Sequence, residues 1–123
     1  MSEHQSKYVI VGGSAAGMAA AHAIREKDVR GTITVLSEES DAPYFRPLIP
    51  YLVSGRKQPG EMVIAGCGPF TGTDIRVQTG TRMVSLDHTA RIAVLEDGST
   101  HGYEKILFTT GSRPYIPPKI EGT

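Results

Sequence analysis

Cysteine is scarce in the sequence: Cys67 is the only one. A single thiol excludes an internal disulfide framework and a cysteine-rich zinc site, and by itself it reads as a small packing residue. The four histidines, His4, His22, His88 and His101, are scattered without ligand-like spacing, so metal chemistry has no support. An excess of one charge is missing too. Thirteen Lys and Arg balance thirteen Asp and Glu, and no basic stripe argues for nucleic acid. Nor does any apolar run approach the ~20 residues that span a bilayer, while the opening MSEHQSK is polar. These absences predict a cytoplasmic protein with neither a membrane nor a nucleic acid as partner.

What is present is enough chain for one domain, 123 residues, with room for a hydrophobic core. Fourteen glycines and eight prolines are many for that length, and they concentrate after residue 40. The second part is therefore expected to be rich in loops and turns. There is no internal repeat.

Tyr8 to Val11 is a short β-branched run that meets glycine abruptly, as in a strand buried on both faces of a parallel sheet. From Ala15 the character turns helical, with Arg25, Glu26, Lys27 and Asp28 marking a solvated last turn before Gly31. Ile33 to Leu36 reads as a second buried strand. Strand, helix and strand occupy about 30 residues, the size of one parallel, right-handed βαβ unit. Residues 40–72 are broken by five prolines, with one short helix expected over Leu48 to Val53. Strand signals then recur at Ile75 to Val77, Thr81 to Leu86, Arg91 to Leu95 and Ser99 to Tyr103, the last two joined by an Asp97-Gly98 hairpin turn. An antiparallel meander is expected from them. Lys105 to Thr110 returns to a buried-strand pattern and stops at Gly111, and the proline-rich tail from Arg113 is expected to be extended.

The junction YVIVGGSAAG carries the chemistry. A strand that turns at glycine straight into a helix aims the helix's free amides and positive dipole end at one point, where a phosphate fits. In a G-x-G-x-x-G reading Gly12 permits the turn, Gly13 lets a bound group approach, and Gly17 lets the helix pack on the strand. Ser14 replaces the middle glycine. Its amide still faces a pyrophosphate if its φ is negative, and its hydroxyl adds a donor. The acidic residue expected ~20 residues beyond the helix start is present as Glu38 or Glu39, either of which suits an adenosine ribose. The alternative is an ordinary glycine-rich turn. The preceding strand, following helix and acid at the right distance favour the dinucleotide.

After the second strand a plain NAD-binding domain would continue promptly with helix and strand, whereas here a proline-rich loop and a meander intervene, which favours FAD. The chain resembles the N-terminal part of the FAD-dependent pyridine nucleotide-disulfide oxidoreductase family. YVIVGGSAAG, ITVLSEE with PYFRPLIPYLVSG, TGTRMVSLD and YEKILFTTGSRP carry the resemblance, over nearly the whole chain. It is nearest to rubredoxin and ferredoxin reductases, the NADH-binding part of nitrite reductase, and apoptosis-inducing factor.

The resemblance implies an α/β, Rossmann-like three-layer fold, a βαβ parallel sheet with an antiparallel β-meander, present as a partial domain. It implies that Gly12, Gly13, Ser14, Ala15, Ala16 and Gly17 cradle the FAD pyrophosphate, that Glu38 and Glu39 sit at the ribose, and that Arg46 lies beside the flavin or its phosphates. Met83 would offer its backbone to adenine, and Thr109, Thr110 and Gly111 would line the cofactor from the last strand. For these the plain alternatives are a solvated loop arginine, a core methionine and ordinary strand-end threonines. No residue is assigned as general acid or base.

Three departures from the family stand out. Pro47 occupies the place of the redox cysteine, which makes thiol chemistry unexpected, and Tyr51 replaces a lysine common in the ferredoxin-reductase relatives. The third is length. Residues 1–112 match the N-terminal portion of the FAD-binding domain, and 113–123 match an extended linker toward an NAD(P)H-binding domain with no counterpart here. The chain is thus expected to be a fragment or a short gene product with little turnover alone. In the intact enzyme, hydride from NAD(P)H would reach the flavin and electrons would go on to a protein or small acceptor. Its expected partners are FAD, the remainder of the enzyme, an electron-acceptor protein and, in a homo-oligomer, a second copy. An NAD(P)-binding Rossmann enzyme domain and a non-catalytic interaction module remain as alternatives.

Overall fold

The structure, a computed structural model, describes residues 3–63 and 74–118; Cys67 and the end of the tail lie outside the described residues. Strand β1 (Glu3–Val11) stops at Gly12, helix α1 (Ala15–Lys27) follows, and β2 (Ile33–Leu36) returns. β1 and β2 pair in parallel, with Tyr8 opposite Ile33 and Val11 opposite Leu36, as the apolar runs predict. Every residue of β2 is buried, which is why its sequence does not alternate.

The helix ends by a local hydrogen-bond cluster rather than by glycine alone. Asp28 accepts the amides of Arg30 and Gly31 at 3.1 and 2.8 Å, and its other oxygen takes Lys7 Nζ at 2.6 Å and the Tyr8 hydroxyl at 2.9 Å. The Lys7 ammonium first, and then these amides and the phenol, hold the Asp28 carboxyl well below the usual carboxylate range.

Strands β3 (Ile75–Gln78), β4 (Met83–Asp87), β5 (Ile92–Leu95) and β6 (Thr100–Phe108) complete one mixed sheet in the order β3-β2-β1-β6-β5-β4. Two expectations are corrected here. The segment at Ile75 does not open the meander: it pairs in parallel with β2, Ile75 opposite Ile33, because fully buried Ile75 finds its apolar partners there. The expected strands at Ser99–Tyr103 and Lys105–Thr110 are one strand. Its first residues pair antiparallel with β5, Val94 opposite Thr100, while its whole length runs parallel to β1, from Glu3 opposite Thr100 to Val11 opposite Phe108. That long ladder also draws the polar N-terminal residues into β1, which their side chains alone did not signal. The Asp97-Gly98 hairpin forms as expected, with Gly98 at φ +87° and its amide on the Leu95 carbonyl at 3.0 Å. In the proline-rich loop, a 3-10 turn over Arg46–Leu48 leads into the short helix α2 (Ile49–Val53).

Two cores make the layers. On one face Ile10, Ile33, Val35 and Ile75 pack against Met18 and Ala21 of α1. Across the sheet Val9, Val11 and Leu36 are covered by Leu95 and Tyr103, with Met83 and Leu86 alongside. Helix, parallel strands and meander side chains therefore form the Rossmann-like three-layer arrangement. No described helix is long and apolar enough to cross a membrane.

Candidate functional site

The glycine turn is held from both sides. The Gly12 amide bonds the Leu36 carbonyl at 2.9 Å and the Thr109 amide bonds that of Val11 at 2.8 Å, so the ends of β2 and β6 clamp the end of β1. Gly12 sits at φ +114°, where a Cβ would strike the Thr109 carbonyl oxygen. A Cβ on Gly17 would strike the Gly12 carbonyl oxygen. These two glycines are required by packing, as their expected roles in the turn and at the helix–strand contact imply. Gly13 differs: its added Cβ would meet Ser37 Cβ at 3.0 Å, so it seats the turn on the end of β2.

Ser14 is the N-cap of α1, at φ −96°, and its side chain does not cap the helix. The negative φ meets the condition for its amide to face a phosphate. The first-turn amides at Ala15, Ala16 and Gly17 have no acceptor within the helix. Instead of donating, the Ser14 hydroxyl accepts a hydrogen bond from Arg46 Nε at 2.9 Å. Arg46 Nη2 reaches Glu39 Oε1 at 2.5 Å, and the guanidinium lies 5.7 Å from the Tyr44 ring centroid. One arginine thus ties the glycine turn to the acidic end of β2. Glu38 is held by Arg82 at 3.1 Å. Burial first, then the Glu39 carboxylate, push the Tyr44 hydroxyl's pKa up.

A cleft of about 580 Å³ opens over these groups at the carboxyl ends of the parallel strands, where open α/β sheets bind ligands. Gly12, Gly13, Ser14, Glu38, Glu39, Arg46, Met83, Thr109, Thr110 and Gly111 all line it. Ala15, Ala16 and Gly17 do not. The two alanines are exposed on α1 and Gly17 is buried beneath the turn, so any part they play in the cradle is through the backbone. Thr109 Oγ1 donates to the carbonyls of Gly12 and Val11 at 3.0 and 3.2 Å. It braces the turn rather than facing the cleft by its hydroxyl alone.

Sequence reasoning missed Tyr44, Asp41, Thr81 and Arg113, which share the cleft. The adjacency of Tyr44 to Arg46 was a usable signal for the first. Arg113, read as the start of a departing tail, lies at the cleft wall because β6 ends beside Gly12. The donor set fits a dinucleotide diphosphate: a cradle that Cβ atoms would fill, first-turn helix amides, one guanidinium at the turn, and the Glu38 and Glu39 carboxylates beyond the end of β2. Among the described residues no cluster of His, Cys, Asp and Glu could hold a metal ion.

This architecture is a Rossmann-like α/β fold with its cleft at the carboxyl ends of the parallel strands. More particularly, the chain belongs to the pyridine nucleotide-disulphide oxidoreductase family, whose model matches residues 6–123. It is 36% identical over 116 residues to the epsilon subunit of the NADH-dependent phenylglyoxylate dehydrogenase of Aromatoleum evansii, covering 94% of this chain and 27% of that one. With the rubredoxin-NAD(+) reductase of Pseudomonas putida it shares 31% identity over 105 residues, 85% of this chain and 27% of the relative. Among solved structures, the NADH:rubredoxin oxidoreductase of Clostridium acetobutylicum matches with a TM-score of 0.79 at 28% identity, over 95% of this chain and 30% of that one. The chain therefore spans roughly a quarter of the length of the curated relatives it matches.

Proposed function

We propose that this chain is the FAD-binding portion of an NAD(P)H-dependent flavoprotein oxidoreductase. The observation that carries this is the convergence of the Gly12–Ser14 turn, the Glu38–Glu39 strand end, Arg46 and Thr109–Gly111 on one cleft. In this proposal Gly12, its own amide held by the Leu36 carbonyl, shapes the turn so that the amides of residues 13–17 hold the diphosphate, with Arg46 beside it, and Glu38 and Glu39 accept from the ribose once released by their arginines. The Met83 backbone receives the adenine, and Thr109 to Gly111 form the opposite wall. Bound FAD supplies the redox chemistry, accepting hydride from NAD(P)H and passing electrons to a protein or small acceptor; this chain's residues bind and orient it.

Residues 1–112 act as the N-terminal portion of the FAD domain and 113–123 as the link to an NAD(P)H-binding part of a longer, cytoplasmic enzyme. The relatives that are reductases of rubredoxin or ferredoxin support an electron-carrier protein as acceptor. A homo-oligomer would be compatible with this arrangement.

The test is a flavin titration of the chain, followed by fluorescence quenching. Saturable FAD uptake that is weakened in a Glu38→Ala, Arg46→Ala variant, both positions being exposed, together with little NADH oxidation, is expected. Tight NADH binding without flavin uptake would point to an NAD-binding domain instead. Binding of neither nucleotide would leave an interaction module as the better account.

A further inference from the structure

We infer that the chain carries a second ligand site, an anion site for a small phosphate-bearing molecule, at the end of the parallel strands opposite the dinucleotide cleft. There, a cleft of about 480 Å³ lies where β1, β2 and β3 begin and the α1–β2 loop passes. Ser6 and Thr34 contribute to its wall, and Arg25, Arg30, Arg76 and Asp74 to its rim. Three guanidinium groups against one carboxylate make a local positive field in a chain whose net charge is zero.

The arginines divide the work. Arg25 donates to the carbonyls of Gly31 at 2.7 Å, Asp28 at 3.2 Å and Asp74 at 3.0 Å. It thereby covers the negative end of α1, which would otherwise repel an anion. Arg30 and Arg76 have no carboxylate at ion-pair distance among the described residues. One guanidinium fork matches a carboxylate or a phosphate equally, but two forks need more oxygens than the two a carboxylate offers, and a tetrahedral anion supplies them.

A buried polar chain supplies the neutral donor. Thr34 stands directly opposite Arg76 in the β2–β3 register, so its hydroxyl and the guanidinium share a sheet face. Thr34 Oγ1 lies 2.7 Å from Ser6 Oγ, and Ser6 Oγ lies 2.9 Å from His101 Nε2. All three residues are almost wholly buried, and His101 Nδ1 has no partner among the described residues. The less costly arrangement leaves Nδ1 as an unpaired acceptor, not an unpaired N–H. Nε2–H then donates to Ser6, Ser6 donates to Thr34, and the Thr34 hydroxyl proton remains for an acceptor in the cleft. Neutral His101 suits this role: burial, then the charges of His4 on β1 and Arg76 on β3, push its pKa down.

The experiment is a titration of the full chain with inorganic phosphate, followed by amide and imidazole NMR shifts. Saturable shifts at Ser6, Thr34 and Arg76 are expected, with the His101 ring signals moving as the anion offsets Arg76. Arg76→Gln, at an exposed position, should leave the spectrum folded and weaken that site about tenfold, as for loss of one charged hydrogen bond, while shifts at Gly13 and Ser14 stay as they were. Shifts confined to the Gly13–Ser14 turn, or saturation at Ser6 and Thr34 unaltered by Arg76→Gln, would overturn the proposal. Malonate binding as tightly as phosphate would overturn the assignment of ligand class. Because the readout is by residue, the outcome is independent of whether the other cleft takes FAD.

Discussion

Thr109 and Gly12 are in backbone contact: the Thr109 hydroxyl donates to the Gly12 carbonyl at 3.0 Å, and the space for a Cβ on Gly12 is filled by the Thr109 carbonyl oxygen. The contact joins residues 97 apart in sequence. It makes the phosphate turn a three-strand structure, set by β2 and β6 as much as by the glycines themselves. Closing so long a loop is what the long β1–β6 ladder achieves.

Gly12→Ala is therefore expected to be severe. The substitution adds strain at φ +114° to a collision with backbone that has no rotamer by which to yield, and a loss of at least about 3 kcal/mol follows. Urea unfolding checks it. A variant that keeps the wild-type midpoint would show that the clamp between β1 and β6 is looser than described.

Thr109 separates two roles of the same residue. Thr109→Val removes the hydroxyl with little change of shape, taking the side-chain donor from the Gly12 carbonyl while the Val11 carbonyl keeps the residue-109 amide, and should cost roughly 1 kcal/mol. Thr109→Ser keeps the donor and should recover most of that. Equal loss in both variants would assign the effect to the methyl group's packing instead.

For Arg46 the expected split is between binding and stability. Its ion pair with Glu39 is more than half exposed on the arginine side, so Arg46→Ala should move unfolding by no more than about 0.5 kcal/mol. FAD affinity, in the proposed function, should fall about tenfold as the fork to Ser14 and the diphosphate is lost. Arg46→Lys, keeping charge but not the fork, should fall between. Calorimetric titration with FAD beside a thermal melt measures both quantities, and a large melt shift without an affinity change would make Arg46 a purely structural brace.

The site was legible where the local pattern and the chemistry coincide. YVIVGG announces a buried strand meeting a turn, and the β-branched Ile33 to Val35 marks its parallel neighbour, because both are decided by short-range periodicity and burial. Glu38 and Glu39 followed from spacing, and Arg46 from the resemblance its loop carries. Less visible were features set by partners distant in the chain. The four residues Ile75 to Gln78 suit either a meander or a parallel edge, and only the buried position of Ile75 beside Ile33 decides it. Glu104, polar and exposed, looks like a break between two strands, yet β6 runs on through it and pairs with β1 on either side, Tyr103 opposite Ser6 and Lys105 opposite Tyr8. The service of Ser14 as acceptor for Arg46 depends on a loop that folds back across 32 residues, which no spacing rule encodes.

His101 gives the chain a pH dependence whose sign is fixed by its surroundings. It is buried between Ser6 and the stacked ring of His4 at 5.8 Å, and burial, followed by the charges of His4 on β1 and Arg76 on β3, holds its pKa below the ordinary 6.5. Above 6.5 folded and unfolded chains both hold it neutral and its contribution is complete. As pH falls below 6.5 the unfolded state takes the proton first, so stability declines toward the lower folded pKa. The Asp28 carboxyl, depressed by Lys7, gives its own loss only below about 3.8, the ordinary value for the unfolded chain, in a separate window. Urea midpoints measured from pH 7.5 to 5 should fall in wild type, and the slope should flatten in His101→Gln, even though that variant begins less stable. An unchanged slope would mean that His101 is hydrated or already paired when folded, and that the Ser6–Thr34 chain ends elsewhere.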